Sequence, residues 1–164
     1  MNPLSNRVLA SIRAYQYHRA RRGVWHRTMR RVARVRHMFW SILTQTDIGL
    51  EATLGNRLLL PHPNGVVIHE NAEIGDDCMI MQQVTVGMIG DSEVPVIGNG
   101  VYIGAGAKII GKLAVGDGAR IGANAVVMSD VPPHCTAVGV PARIIQRRAG
   151  GSNKGGHGRA DVGQ

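Results

Sequence analysis

The stretch IGAGAKIIGKLAVGDGARIGANAVV, residues 103 to 127, repeats itself every six residues. Ile103, Ile109, Val115, Ile121 and Val127 mark the beat, and a small residue usually follows each of them. Outward from this stretch the same beat falls on Ile97, on Ile68, Ile74, Ile80 and Val86, and on Ile48, Leu54 and Leu60. A six-residue period never keeps to one face of a 3.6-residue helix. It is the hexapeptide signature of a parallel β-helix, in which each hexapeptide makes one short strand and one turn and three of them wind one prism-shaped coil. A single coil cannot bury its inward aliphatic row, so coils must stack and stability comes from neighbouring coils. Glycine and asparagine supply the positive-φ positions that tight corners need.

At 164 residues the chain fits one such domain with appendages, and its aromatic content of 4% suits a core of branched aliphatics. There are two cysteines, Cys78 and Cys135. Cys78 takes an inward small-residue position of the repeat, which predicts a buried thiol rather than a disulfide or a metal ligand and fits a reducing, cytoplasmic compartment.

Charge divides the chain. Residues 1 to 46 contain ten arginines and no acid, whereas the remainder has nine bases against eleven acids. Within this basic arm Trp25, Met29, Val32, Val35, Phe39 and Leu43 recur at helical spacing, with Arg27, Arg30, Arg31 and Arg34 on another face. Gly23 separates this helix from an earlier one around residues 5 to 22. One reading makes the apolar stripe a cap that closes the open end of the β-helix. Another makes the arm a peripheral contact with an anionic membrane surface or with anionic saccharide or lipid-phosphate substrates. Nucleic-acid binding lacks a recognisable reading motif. The run MFWSIL is far too short for a membrane span. The organisation expected is a helical arm over 1–46, a β-helix over 47–148, and a glycine-rich disordered tail over 149–164.

Two outliers break the rhythm. The stretch HPNG adds two residues between Leu60 and Ile68, and the segment between Val86 and Ile97 is five residues longer than one hexapeptide. Loops that interrupt a regular scaffold are where function concentrates. His62 stands in the first of them. On the residues alone it is equally a corner histidine that hydrogen-bonds backbone or a general base, and Asp47, fifteen residues earlier, reads as an ordinary junction residue.

Residues 47 to 145, about three fifths of the chain, resemble the left-handed β-helix of the hexapeptide acyltransferases, and within them the serine acetyltransferase family. The likeness is carried by Asp47-Ile48, LPHPNGVVIHENAEIG (60 to 75), QQVTVG (82 to 87), IGAGAKIIG (103 to 111), IGANAVV (121 to 127) and VPPHCTAVGVPARII (131 to 145). The left hand of the coil comes from this resemblance, because ordinary parallel crossovers are right-handed. The resemblance implies acetyl-CoA as acyl donor, His62 as general base with Asp47 as its carboxylate partner, and a homotrimer with the donor between adjacent coils. Acyl transfer to a hydroxyl needs such a base, since an alcohol is a weak nucleophile at neutral pH. For the donor the resemblance implies a shallow groove at Ala105, Gly106 and Ala123 for a pantetheine arm, with Lys108, Arg120 and Arg143 available to its phosphates, although Lys108 and Arg120 read equally as outward positions of the repeat. Arg143 follows Pro141-Ala142 in the motif that borders the CoA site in these transferases. The same small residues are also what the repeat itself requires.

The acceptor side departs from the family. The aspartate that precedes the catalytic histidine is replaced by Pro61, and Glu93-Val94 stand in place of an Arg-His pair that contacts substrate. L-serine follows from the overall likeness. A saccharide hydroxyl, as in polysaccharide or glycolipid assembly, follows from the missing amino-acid contacts, and a non-catalytic β-helix scaffold is the alternative of another class. The chain ends in Val-Gly-Gln rather than the isoleucine with which serine acetyltransferases dock onto the next enzyme of cysteine synthesis, which argues against that complex. His69 is expected beside the active-site rim and His134 in the turn leaving the last coil. Their spacing from His62 does not fit the zinc site of β-helical carbonic anhydrases, so no metal is expected.

Overall fold

A computed structural model of the chain describes residues 3–90 and 93–146. The glycine-rich tail lies outside the described residues. Two helices, α1 (Pro3–Arg19) and α2 (Val24–Thr44), precede a stack of strands two or three residues long. Pro3 suits the first helical position, where no backbone donor is lost. Gly23, at φ 120, separates the helices, and Gln45, in the left-handed region, ends the second.

The strands form three parallel sheets, the walls of the prism. The first holds β1 (Asp47–Ile48), β3 (Val67–Ile68), β6 (Thr85–Gly87), β9 (Lys108–Ile110) and β12 (Val126–Val127) in that order. The second holds β2 (Thr53–Leu54), β4 (Glu73–Ile74), β7 (Val96–Ile97) and β10 (Ala114–Val115). The third holds β5 (Met79–Ile80), β8 (Tyr102–Ile103), β11 (Arg120–Ile121) and β13 (Thr136–Val138). A last strand, β14 (Arg143–Ile145), turns back antiparallel on β13, an addition the hexapeptide pattern does not announce.

Register follows the beat: Ile68 pairs with Val86 and Val86 with Ile109, while Ile80 pairs with Ile103 and Ile103 with Ile121. Every aliphatic of the beat from Ile68 to Val127 is buried, and so is the residue four places on except Gly90 in the longer segment, as at Ala72, Cys78, Ala107, Ala119 and Ala125. Leu54, near the arm end of the stack, is only half-buried. Corners are tight. A Cβ on Gly75 would lie 2.6 Å from the carbonyl of Gly98, so only glycine fits there. Cys78 and Cys135 are both free and buried, and burial pushes the Cys78 thiol up.

The cap differs from the expectation. Helix α1, not α2, closes the stack: Val8, Leu9 and Ile12 join the β-helix core, and Gln16 Nε2 donates to the carbonyls of Leu50 (3.1 Å) and Ala52 (2.9 Å). Helix α2 turns small and polar residues, Ala33, His37 and Thr44, inward. Of its predicted stripe only Met29 is half-buried, and Trp25, Val32, Val35, Phe39 and Leu43 are exposed. The buried face of α1 is Ser5, Val8, Leu9, Ser11, Ile12 and Tyr15, small side chains interleaved with aliphatic ones, which lets this helix sit close on the first coil, where Ser5 Oγ donates to the Leu60 carbonyl. His37 then fastens α2, with its Nε2 3.0 Å from the Ile48 carbonyl oxygen and its Nδ1 3.2 Å from Ser11 Oγ.

Candidate active site

Three edges join the three sheets, and they are built differently. The edge from sheet two to sheet three is stitched by an Asp/Asn ladder: Asp76 Oδ1 accepts from the Asn56 amide (2.6 Å), Asn99 Oδ1 from the Asp76 amide (2.8 Å), and Asp117 Oδ1 from the Asn99 amide (2.6 Å). Three of its backbone donors are thereby committed to side chains of neighbouring coils.

The edge from sheet three to sheet one carries the HPNG insertion. Gly65 donates its amide to the Gln45 carbonyl (3.0 Å), Asn64 Nδ2 donates to Gln45 Oε1 (2.8 Å), and Pro63 is buried. With its neighbours thus held, His62 is left exposed and makes no hydrogen bond among the described residues. Along this edge the next coils follow by backbone bonds: Gln83 amide to Asn64 carbonyl (2.9 Å), Gly106 amide to Gln82 carbonyl (2.9 Å), and Asn124 amide to Ala105 carbonyl (2.8 Å). His62 therefore stands on the same edge as Ala105, Gly106 and Ala123. At about 4.8 Å per coil, Ala105 is ~10 Å and Ala123 ~14 Å along the edge from the coil of His62. Gly106 sits at φ 74, and a Cβ there would collide with Asn124 Oδ1, so the groove floor is set by packing as well as by any ligand.

At the far end Gly139 and Ala142 bond to Val126, accepting from its amide (3.0 Å) and donating to its carbonyl (2.8 Å). That places the turn before Arg143 on this edge, and Arg143 itself is exposed. Lys108 is engaged: its Nζ donates to the Gln83 carbonyl (2.8 Å) and to Thr85 Oγ1 (3.0 Å). Arg120 lies on the outer side of sheet three, 4.8 Å over the Tyr102 ring. Gln82, which the sequence reading did not single out, holds on this edge a buried Oε1 with no hydrogen-bond partner, the one such side-chain atom among the described residues. Nothing in the hexapeptide pattern distinguishes it from Gln83.

Asp47 opens β1 one coil before the HPNG loop, its amide donating to the Val66 carbonyl (2.8 Å). The structure brings its side chain into a shallow cavity of about 290 Å³ with His69 and Glu70, not into hydrogen-bond contact with His62. His69 lies on the opposite border of sheet one, where its Nδ1 accepts from the Asn71 amide (3.2 Å). The longer segment between Val86 and Ile97 leaves from this border, and its described part is pinned by Lys112 Nζ on Glu93 Oε1 (2.8 Å). His134 sits in the last turn of the stitched edge. No three histidine, cysteine or carboxylate side chains converge on one point among the described residues.

Comparison with known proteins agrees with this architecture. Residues 95–129 match the family model described as bacterial transferase hexapeptide (six repeats). A serine acetyltransferase of Mycobacterium tuberculosis is 46% identical over 131 residues, which is 78% of this chain and 57% of the relative. The soybean serine acetyltransferase complexed with serine superposes with a TM-score of 0.74 at 37% identity, over 88% of this chain and 58% of that one. The serine acetyltransferase from Brucella abortus in complex with coenzyme A does so with a TM-score of 0.74 at 36% identity, over 86% and 55%. A coil of the opposite hand would not superpose, so the hand is theirs. The chain spans about half the length of the curated relatives it matches.

Proposed function

The chain belongs to the hexapeptide-repeat transferases and is similar within them to the serine O-acetyltransferases, and from that premise we propose that it transfers an acetyl group from acetyl-CoA to a hydroxyl of a small acceptor, L-serine by family likeness. The observation that carries the proposal is the placement of an exposed His62, without a hydrogen-bond partner among the described residues, on the edge that also bears Ala105, Gly106 and Ala123.

In the proposed reaction the pantetheine arm lies along this edge with its thioester at His62, and Arg143 meets phosphate at the far end. The imidazole of His62 takes the proton of the acceptor hydroxyl as the oxygen attacks the thioester carbonyl. The tetrahedral intermediate collapses, the carbon–sulfur bond breaks, and His62 returns the proton to the departing thiolate. Asp47 orients the imidazolium, pairing with it when the acceptor is in place, since catalytic hydrogen bonds often close only in the complex. Lys108, already bonded to Gln83 and Thr85, acts as a brace of the groove more than as a phosphate ligand.

The unit expected to work is a homotrimer, because an open edge encloses nothing alone. Met88, Ile89 and Val96 stand exposed within the longer segment, which suits a wall lent to a neighbour's site.

A second reading, a saccharide hydroxyl as acceptor, is favoured by Glu93: a carboxylate paired with Lys112 occupies the place where a cation would meet an amino acid's carboxylate. Acetyl-CoA-dependent thiol release, run with L-serine and with a panel of saccharides, decides between them. His62→Ala is expected to lower turnover by roughly 10²- to 10⁴-fold with the melting temperature unchanged, because the side chain is exposed and makes no hydrogen bond among the described residues. Asp47→Asn is expected to lower it less. Wild-type turnover in His62→Ala sinks the proposal.

A further inference from the structure

Helix α2 is amphipathic with its apolar stripe pointed away from the protein. Val24, Trp25, Val32, Val35, Phe39 and Ile42 share one face, within a sector of about 100° at 100° per residue, and run from 45% exposed at Val32 to 79% at Val24. Arg27 and Arg31 border the stripe on one side and Arg36 on the other, as their offsets of 100° per residue place them. With 21 residues the helix is about 32 Å long. At its N-terminal end the turn between the helices forms a cleft lined by His18, Arg19, Arg22, Arg27 and Arg30. Arg19 is paired with Glu51 (2.8 Å), while the side chains of Arg22, Arg27 and Arg30 make no hydrogen bond or ion pair among the described residues.

We propose that α2 docks on an anionic lipid surface, its stripe from Trp25 to Ile42 entering the acyl boundary and the arginine cleft at the α1–α2 turn holding lipid phosphates. Two features select this occupant. An apolar stripe rimmed by cations, with a tryptophan at one end, has the chemistry of an interfacial helix. A second copy of the helix would set arginine rims against arginine rims, with no acid anywhere in residues 1–46 to neutralise them. Among the described residues no helix is long and apolar enough to cross a membrane, so the contact is peripheral. Docking in this way brings the capped, N-terminal end of the β-helix toward the surface, because α1, sandwiched between α2 and the first coil, links the two.

Co-sedimentation of the whole chain with phosphatidylcholine vesicles and with vesicles that also carry phosphatidylglycerol tests the proposal without reference to turnover. Binding is expected only to the anionic vesicles, with a blue shift of tryptophan emission that is lost in Trp25→Phe. Raised salt and the double variant Arg27→Glu/Arg30→Glu should each weaken it, the variant by roughly tenfold or more. Absence of binding, or equal binding to neutral vesicles, overturns the proposal. So does a fall in oligomer mass in Phe39→Ser/Ile42→Ser without loss of vesicle binding, which would assign the stripe to a second copy of the chain.

Discussion

The β-helix and helix α2 are both written in periodic apolar residues, one at a spacing of six and the other at helical spacing, yet they point them in opposite directions. The β-helix buries its row from Ile68 to Val127 without exception, whereas α2 leaves Trp25, Val35, Phe39 and Ile42 in solvent and packs on Ala33, His37 and Thr44. A period tells which residues share a face. It does not tell which way that face looks, unless the element has no other way to be stable. A two-residue strand has none, because its coil closes around its own inward row. A helix satisfies its backbone by itself and is free to turn either side to the protein.

The sharpest break of this comparison is in the core. Ile103 is fully buried between Ile80 and Ile121, so Ile103→Ala is expected to cost about 2–5 kcal/mol in denaturant unfolding. A cost below about 1 kcal/mol would mean that neighbouring coils do not support one another as a stack must. A smaller effect is expected where the two regions meet. Burial pushes the imidazole of His37 below its ordinary value of 6.5, against weaker opposition from its bond to the Ile48 carbonyl and from the Asp47 charge. The unfolded chain therefore binds the proton more readily than the folded one. Stability is full above pH 6.5 and falls as the pH drops from there toward the lowered native value. His37→Gln should flatten that slope in melts taken across the acid range; an unaltered slope would remove His37 as the fastening of α2. The smallest effect belongs to the stripe itself: Phe39→Ser should move stability in vesicle-free solution by no more than about 0.5 kcal/mol, and a loss comparable to that of Ile103→Ala would show that the stripe is buried after all.

The fold was legible because the repeat is redundant. Thirteen beat positions state the same geometry, and a departure at one, such as the half-buried Leu54, leaves the rest intact. The functional edge was legible in its parts, not in its assembly. HPNG and the long segment after Val86 announced themselves as interruptions of the beat. That His62 shares an edge with Ala105, Gly106 and Ala123, while His69 and the long segment sit across sheet one from it, depends on which corner each hexapeptide occupies. Counting corners needs the register of every preceding coil. Gln82 was missed because its orphaned oxygen is a fact of packing. The returning strand β14 was missed because it leaves the period altogether.

The sequence by itself determined the β-helix, its inward row, the glycine corners and the two interrupted places, because each follows from local periodicity and from backbone conformations that few residues adopt. Only the tertiary structure decided which helix caps the stack, that α2 faces its apolar stripe outward, and that one edge is sealed by Asp76, Asn99 and Asp117 while another stays open at His62. Those outcomes are set by competition between distant segments for the same surface, and no single segment's pattern contains the result of that competition.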